Sequence, residues 1–270
     1  MRIAVPIKQV PETANVEIDP ETGTMIRSGA AAVVNPLDLY AIEAALRLRE
    51  EHGGTVTIVS MGPPAAERAI KEAIAMGCDS GALVTDRKFA GSDTWATSYT
   101  LSAALRALGG FDLVVTGERA TDGDTAQVGP GIAAWLDLPL ATYVARIVSI
   151  DAERVVVDRL IEEGYQRVAL TLPALLTVVK EIAPVRLPTL RGKRRAKDTG
   201  IAVLTAADLE VDPANLGLRG SPTKVIRIER PRVARDGRLV NAAGDGGLGP
   251  AVDALLAFLD ERSLTGKESL

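Results

Sequence analysis

The chain has 270 residues, 47% of them hydrophobic, a formal net charge of −4, one cysteine and one histidine. The single cysteine, Cys78, excludes an internal disulfide, a cysteine-held iron–sulfur cluster and a structural zinc site, and the lone histidine, His52, argues against His-based metal sites and Ser-His-Asp chemistry. The acidic balance gives no field for nucleic acid or anionic lipid, and no apolar run approaches the ~20 residues that span a bilayer, so the expectation is a cytoplasmic protein whose redox chemistry comes from a bound cofactor.

The first half alternates strand and helix. Ile3 to Ile7 is a short apolar run, shaped as a first strand rather than as a signal peptide. Pro36 to Glu51 carries Leu37, Tyr40, Ala41, Ala44, Ala45 and Leu48 at helical spacing, with Asn35 expected as N-cap, Pro36 at the first helical position, Gly53-Gly54 at the end and His52 as a dipole-favoured C-terminal residue. A β-branched run at Thr55 to Ser60 predicts the next strand. Pro63-Pro64 opens a helix that Gly77 stops after Met76, and Cys78 beyond it reads as a small buried filler. Gly81 to Val84, a helix from about Asp93 to Leu108, and Leu113 to Thr116 continue the βαβα rhythm. This predicts a mostly parallel, Rossmann-like twisted sheet with helices on both faces.

After Trp135 the rhythm changes. Tyr143 to Ile150, Arg154 to Leu160 and Arg167 to Leu172 read as an antiparallel meander, with turns at 150–153 and 162–165, and Pro173 to Val179 as a further strand. From Lys180 onward periodicity fades into a Pro-, Arg- and Lys-rich stretch, followed by a loose segment at 212–249 and an amphipathic helix from Ala251 to Leu264. The expected organisation is therefore a nucleotide-binding α/β domain at 1–182 and a long C-terminal arm at 183–270, used to clasp a partner.

The most telling stretch runs from Val114 to Trp135: a strand, a loop with Gly117, Asp122, Gly123 and Asp124, and a helix expected to start near Thr125. Free N–H groups and the positive end of a helix dipole would converge there on an anion such as a nucleotide pyrophosphate. Carboxylates repel phosphate, so Asp122 and Asp124 are expected to accept from ribose or ribityl hydroxyls or to orient the loop, while the amides of Thr125 to Gln127 hold phosphate. An ordinary strand-to-helix turn capped by Asp124 or Thr125 is the plainer alternative. Lys8, Asn35 and Ser60-Met61-Gly62 fall on the same carboxyl rim, where ligands collect in parallel sheets. By contrast, Gly244 to Gly249 fits G-x-G-x-x-G but lacks the βαβ context, so no dinucleotide site is expected there. The basic run Arg186 to Lys197 lacks interleaved aromatics, and Leu187 and Leu190 within it favour docking of a protein over nucleic acid.

These residues resemble the beta subunit of electron-transfer flavoproteins. The likeness covers nearly the whole chain: the opening A-V-P-I-K-Q-V-P, N-P-L-D at Asn35 to Asp38, V-S-M-G-P at Val59 to Pro63, the loop, and the run from Val157 to Thr177, which fits the family signature at every specified position. The resemblance implies a heterodimer with an alpha subunit carrying one FAD. In the simple branch of the family the beta pocket holds AMP. In the electron-bifurcating branch it holds a second FAD, which takes hydride from NADH and sends one electron to ferredoxin and one to the alpha FAD, serving an acyl-CoA-type dehydrogenase. Oxidoreductase activity then belongs to the assembled complex rather than to this subunit. D-G-D-T-A-Q-V-G-P resembles the bifurcating members, with Gly123 and Ala126 leaving room for a larger ligand. Carried over by position, the pocket would use Pro6, Lys8, Asn35, Asp38, Met61, Arg119, Ala120, Thr121, Asp122, Gly123, Asp124, Thr125, Ala126, Gln127, Val128 and Gly129, with Arg119 or Lys8 stabilising an anionic reduced flavin. Leu187, with Leu190, Arg191 and Lys193, would match the loop that docks the partner dehydrogenase. A nucleotide sensor of the universal-stress type, which needs no alpha subunit and turns over nothing, is a rival from another class.

Overall fold

The computed structural model describes residues 1–12, 17–18, 25–26, 32–226, 239–243 and 247–264. Its strands are β1 (Arg2–Pro6), β2 (Gln9–Pro11), β3 (Glu17–Ile18), β4 (Met25–Ile26), β5 (Ala32–Val34), β6 (Thr55–Met61), β7 (Ser80–Val84), β8 (Leu113–Gly117), β9 (Leu140–Ile150), β10 (Arg154–Ile161), β11 (Gly164–Thr171), β12 (Ala174–Val178) and β13 (Ala202–Leu204). Its helices are α1 (Asp38–His52), α2 (Glu67–Met76), α3 (Thr94–Ala107), α4 (Val128–Leu136), α5 (Leu190–Asp198), α6 (Gly217–Gly220) and α7 (Leu248–Asp260).

Among the described residues, nine strands form one sheet in the order β11-β10-β9-β12-β8-β1-β6-β7-β13. The strands from β12 to β13 run parallel to their neighbours, and β9 joins β12 in parallel while β10 and β11 add the antiparallel meander. Side chains alternate across a strand, so each central strand feeds two cores. Ile3, Val5, Leu113, Val115, Leu176 and Val178 pack with Ile42, Leu46, Ile70 and Ile74 of α1 and α2. Ala4, Val114 and Leu175 pack with Leu101 and Leu105 of α3 and Ile132 of α4 on the other face. The expected fold class is thus present, with a doubly wound parallel sheet, helices on both sides and an antiparallel extension.

Several boundaries differ from the sequence expectation. Helix α1 starts at Asp38, because Asn35, Pro36 and Leu37 form a turn in which the Asp38 amide donates to the Asn35 carbonyl at 2.9 Å. Asn35 is not its N-cap. Strand β11 begins at Gly164 rather than Arg167, since Gly164 pairs with Ile161 across a two-residue turn. The final helix spans Leu248–Asp260 instead of 251–264. Cys78 is fully buried, and burial pushes its thiol up to about 12, as befits an inert filler. Gly244, Asp245 and Gly246 of the G-x-G-x-x-G match lie outside the described residues.

The largest difference lies beyond Lys180. The compact unit does not end near residue 182. It extends through Ile228, and residues 229–270 form a second unit. Three ties account for this. The Arg186 guanidinium grips Glu43 at 2.8 Å and Glu50 at 2.5 Å on α1. Burial would push the Glu43 carboxyl up, but the bonds from Arg186 and Arg47 outweigh it and hold the acid below its ordinary range. Next, the basic run folds as α5 against α2, where Arg195 donates to the carbonyls of Ile74 and Cys78 at 2.8 and 2.6 Å. The Ile74 carbonyl belongs to the last turn of α2 and Cys78 lies just beyond it, so the cation meets the negative end of that helix. Finally, β13 pairs with β7 and closes the sheet edge.

The contact of α5 with α2 requires Gly192, because a Cβ there would run into the backbone carbonyl of Ala75. Gly192→Ala is therefore expected to lower stability by about 1–3 kcal/mol in urea unfolding, the usual penalty for overpacking. An unchanged midpoint would show that α5 does not bear on the main unit.

Candidate nucleotide site

The order of formation reverses between β1 and β8. From β1 the chain steps outward through β6 and β7, then crosses back to lay β8 on the other side of β1. In doubly wound sheets such a reversal opens a crevice at the carboxyl ends of the strands. Four of the expected residues meet there. Pro6 ends β1, Met61 ends β6, and Lys8 follows β1. The β2–β5 ribbon returns Asn35 beside Lys8, with the Asn35 amide donating to the Lys8 carbonyl at 2.8 Å.

Asp38 joins the two strands flanking the crevice. Its carboxylate accepts from the Lys8 backbone N–H at 2.7 Å, and the Gly117 backbone and the Asn35 side chain also favour its charged form. Gly117 has no room for a side chain, since a Cβ would lie 2.5 Å from Asp38 Oδ1. Burial outweighs these donors and raises the Asp38 carboxyl from 3.8 to about 7. Asn35, fully buried, donates its side-chain amide to the Arg119 carbonyl at 2.9 Å and accepts from the Thr121 amide at 3.2 Å. It braces the loop from below, which is why it is unavailable to cap α1.

The loop from Arg119 to Gln127 carries its own charge pairs. Lys8 Nζ contacts Asp122 at 2.6 Å, and Arg119 contacts Asp124 at 3.1 Å and Glu118 at 3.6 Å. Asp122 and Asp124 therefore hold the two cations of the rim. The helix begins at Val128, three residues after the expected start, because Asp124 and Ala126 sit at φ 52° and 56°, outside helical geometry. The helix end thus presents the N–H groups of its N-cap Gln127, of Val128 and of Gly129, shifted toward the C-terminus from the expected Thr125 to Gln127. Pro130 has none to offer. Gln127 makes no side-chain cap bond, and neither Asp124 nor Thr125 serves as the N-cap.

Glycine lets this helix end sit directly on the sheet. A Cβ on Gly129 would lie 2.7 Å from Thr177 Cγ2 and 2.8 Å from Thr116 Oγ1, and one on Gly131 would lie 2.6 Å from Ser98 Oγ. Beneath the rim, the buried hydroxyls of Ser60 and Thr116 make no hydrogen bond. Gly123 faces open space, with only Lys8 Nζ near its missing Cβ, at 3.8 Å. An uncapped helix N-terminus, orphaned hydroxyls at two strand ends and an unobstructed loop crest suit a nucleotide phosphate with a bulky group beside it. The family model for the electron transfer flavoprotein domain matches residues 22–209. The electron transfer flavoprotein subunit beta of Thermoanaerobacterium thermosaccharolyticum is 47% identical over 97% of this chain and 99% of its own length.

The chain belongs to the electron transfer flavoprotein family, on its beta-subunit side. Subunit CarD of a caffeyl-CoA reductase–Etf complex from Acetobacterium woodii is 44% identical over 89% of this chain and 92% of its own length. Protein FixA of Azorhizobium caulinodans is 44% identical over 86% and 85%. The match takes in most of the rim, including Asn35, Asp38, Met61 and the loop.

Sequence reasoning missed Thr94, whose hydroxyl donates to that of Thr125 at 3.1 Å from the first position of α3. The clue was available: Asp93 marks a helix N-terminus just after β7, on the same carboxyl rim. Leu187 and Leu190 lie elsewhere, at 84% and 87% exposure, with Arg191 and Lys193 also exposed on α5. Among the described residues no helix is long and apolar enough to cross a membrane.

The raised Asp38 carboxyl has a consequence for stability. Between pH 4 and 7 the folded chain keeps a proton that the unfolded chain has released, so stability falls as pH rises through that window and levels off above it. From pH 5 to pH 8 this loss is on the order of 2–3 kcal/mol. In Asp38→Asn it is expected to vanish, leaving a flatter pH profile in urea unfolding. Identical profiles for variant and parent would show that Asp38 ionises freely.

Proposed function

We propose that this beta subunit pairs with an alpha subunit carrying FAD and holds a second FAD in the crevice between β1 and β8. The observation that carries the proposal is the α4 N-terminus, seated on the sheet by Gly129 and Gly131 and faced by a loop crest in which Gly123 leaves space. Bound there, FAD would supply hydride acceptance from NADH and single-electron transfer toward ferredoxin and the alpha-subunit FAD. The chain's own residues bind and orient. The Val128 and Gly129 amides take phosphate, and Asn35 and Asp38 fix the floor. Lys8 can leave Asp122 for the ligand at small cost, because an exposed ion pair contributes under about 1 kcal/mol. Arg119 shares two carboxylates and is the weaker candidate for stabilising anionic flavin.

The partner of the complex is an acyl-CoA-type dehydrogenase, a class akin to the caffeyl-CoA reductase in the name of one relative. It docks on Leu187 and Leu190, flanked by Arg191 and Lys193. An apolar pair this exposed, held by a backbone that Arg186 anchors to α1, makes a rigid contact point.

Nucleotide content of the co-purified heterodimer decides the central point. Two FAD and no AMP per heterodimer is the expected result. One FAD with one AMP would replace the proposal with a simple electron carrier using the nucleotide structurally, and no nucleotide in this subunit would remove the site altogether. For the docking surface, Leu187→Ala is expected to raise KM for the partner dehydrogenase about tenfold, the effect of losing one interface anchor, with nucleotide content unchanged. Unaltered electron transfer to the dehydrogenase would place docking elsewhere.

A further inference from the structure

The Arg119–Gln127 loop is supported unequally. Its first half is held by Asn35, Lys8 and the Asp124-to-Ala120 backbone bond at 2.9 Å. Its apex, Thr125, lies between the left-handed residues Asp124 and Ala126, each costing roughly 1 kcal/mol or more relative to relaxed backbone. The side-chain bond that reaches Thr125 comes from Thr94.

Thr94 follows Asp93, and Asp93 has two occupations. Its Oδ1 accepts from the Ala96 amide at 3.0 Å and caps α3. Its Oδ2 accepts from both the amide and the hydroxyl of Thr223, at 2.9 and 2.8 Å. The Asp93 amide in turn donates to Ser221 Oγ at 2.8 Å, and that hydroxyl donates to the Gly217 carbonyl at 2.7 Å. Two further ties lay the preceding segment along α3: Asp212 N–H donates to the Tyr99 hydroxyl at 2.9 Å, and Leu218 N–H donates to the Ala90 carbonyl at 3.0 Å. Residues 212–226 are the last stretch before the compact unit ends at Ile228. One carboxylate therefore fixes both the helix start that presents Thr94 to the loop and the point at which the chain leaves the unit.

We infer that Asp93 and Thr94 are positioning residues that couple the root of the C-terminal arm, Ser221 to Thr223, to the apex of the nucleotide loop at Thr125. Whatever pulls on or releases the arm root changes how firmly Thr94 is presented, and hence how well the strained apex is held. By reciprocity, filling the loop steadies the arm root. The coupling rests on the proposed nucleotide site only for that second half.

Amide hydrogen exchange on the nucleotide-depleted heterodimer tests it, read over residues 119–127 and 217–226. Asp93→Asn is isosteric and leaves an oxygen to cap α3, but it turns a donor toward the Thr223 donors. Thr94→Val removes only the hydroxyl. Each is expected to speed exchange in both segments, by about fivefold or more, and Thr94→Ser is expected to restore the parent rates. An Asp93→Asn variant that loosens 217–226 alone, or a Thr94→Val variant that leaves 119–127 unchanged, overturns the coupling. AMP or FAD is then added separately. Slowed exchange at 217–226 in the parent, absent in Thr94→Val, is the reciprocal effect, and equal slowing in both would also overturn the coupling. If neither nucleotide protects 119–127 in the parent, the site assignment fails while the ligand-free comparison still decides the coupling.

Discussion

The site depends on one buried carboxyl group held between two strands. Parallel strands β1 and β8 are neighbours in the sheet but far apart in the chain, and their carboxyl ends must be fixed before anything can be built on them. Asp38 does this by accepting the backbone N–H of Lys8, just past β1, and by lying against Gly117 at the end of β8. Burial works against its charge, so the group sits near neutrality instead of ionising as a surface acid does. Asn35 extends the same scaffold upward to the backbone of Arg119 and Thr121. Floor and loop are thus one hydrogen-bonded assembly.

On that floor, close packing sets where the helix dipole points. Side chains at positions 129 and 131 would collide with Thr116, Thr177 and Ser98, so glycine allows α4 to rest against strand ends and against α3. The helix end then meets the crevice, and the left-handed turns at Asp124 and Ala126 bring the chain round to it. The loop carboxylates sit against Lys8 and Arg119, which limits the repulsion an incoming phosphate would feel. Lys8, Arg119 and Asp124 of these pairs are solvent-exposed.

The stretch after Lys180 shows how a polar sequence can be ordered by partners outside itself. The α5 sequence L-R-G-K-R-R-A-K-D has almost no apolar content, and its order comes from α2: a glycine contact with Ala75, a buried Ala196 and the Arg195 bonds to terminal carbonyls. Arg186 reaches Glu43, an acid on α1 that is only 2% exposed and would be unfavourable there without cationic partners. These ties leave Leu187 and Leu190 exposed at the surface.

The sequence by itself determined the fold class and the succession of β1, β6, β7 and β8 with the helices between them. These rest on local signals: period-two and period-three-to-four hydrophobic patterns, helix-stopping glycines and a strand–loop–helix succession. The meander was legible for the same reason. Tertiary structure alone decided the start of α4, the role of Asn35, the placement of α5 and β13 within the main unit, and the presence of Thr94 at the loop. The left-handed residues Asp124 and Ala126 set the start of α4, and each of the others depends on a partner distant in sequence: Arg119 and Thr121 for Asn35, Ala75 for Gly192, Ala82 to Val84 for β13, and Thr125 for Thr94. A local pattern records what a segment does with its own neighbours, whereas these placements were settled by hydrogen bonds and contacts that exist only once the sheet has assembled.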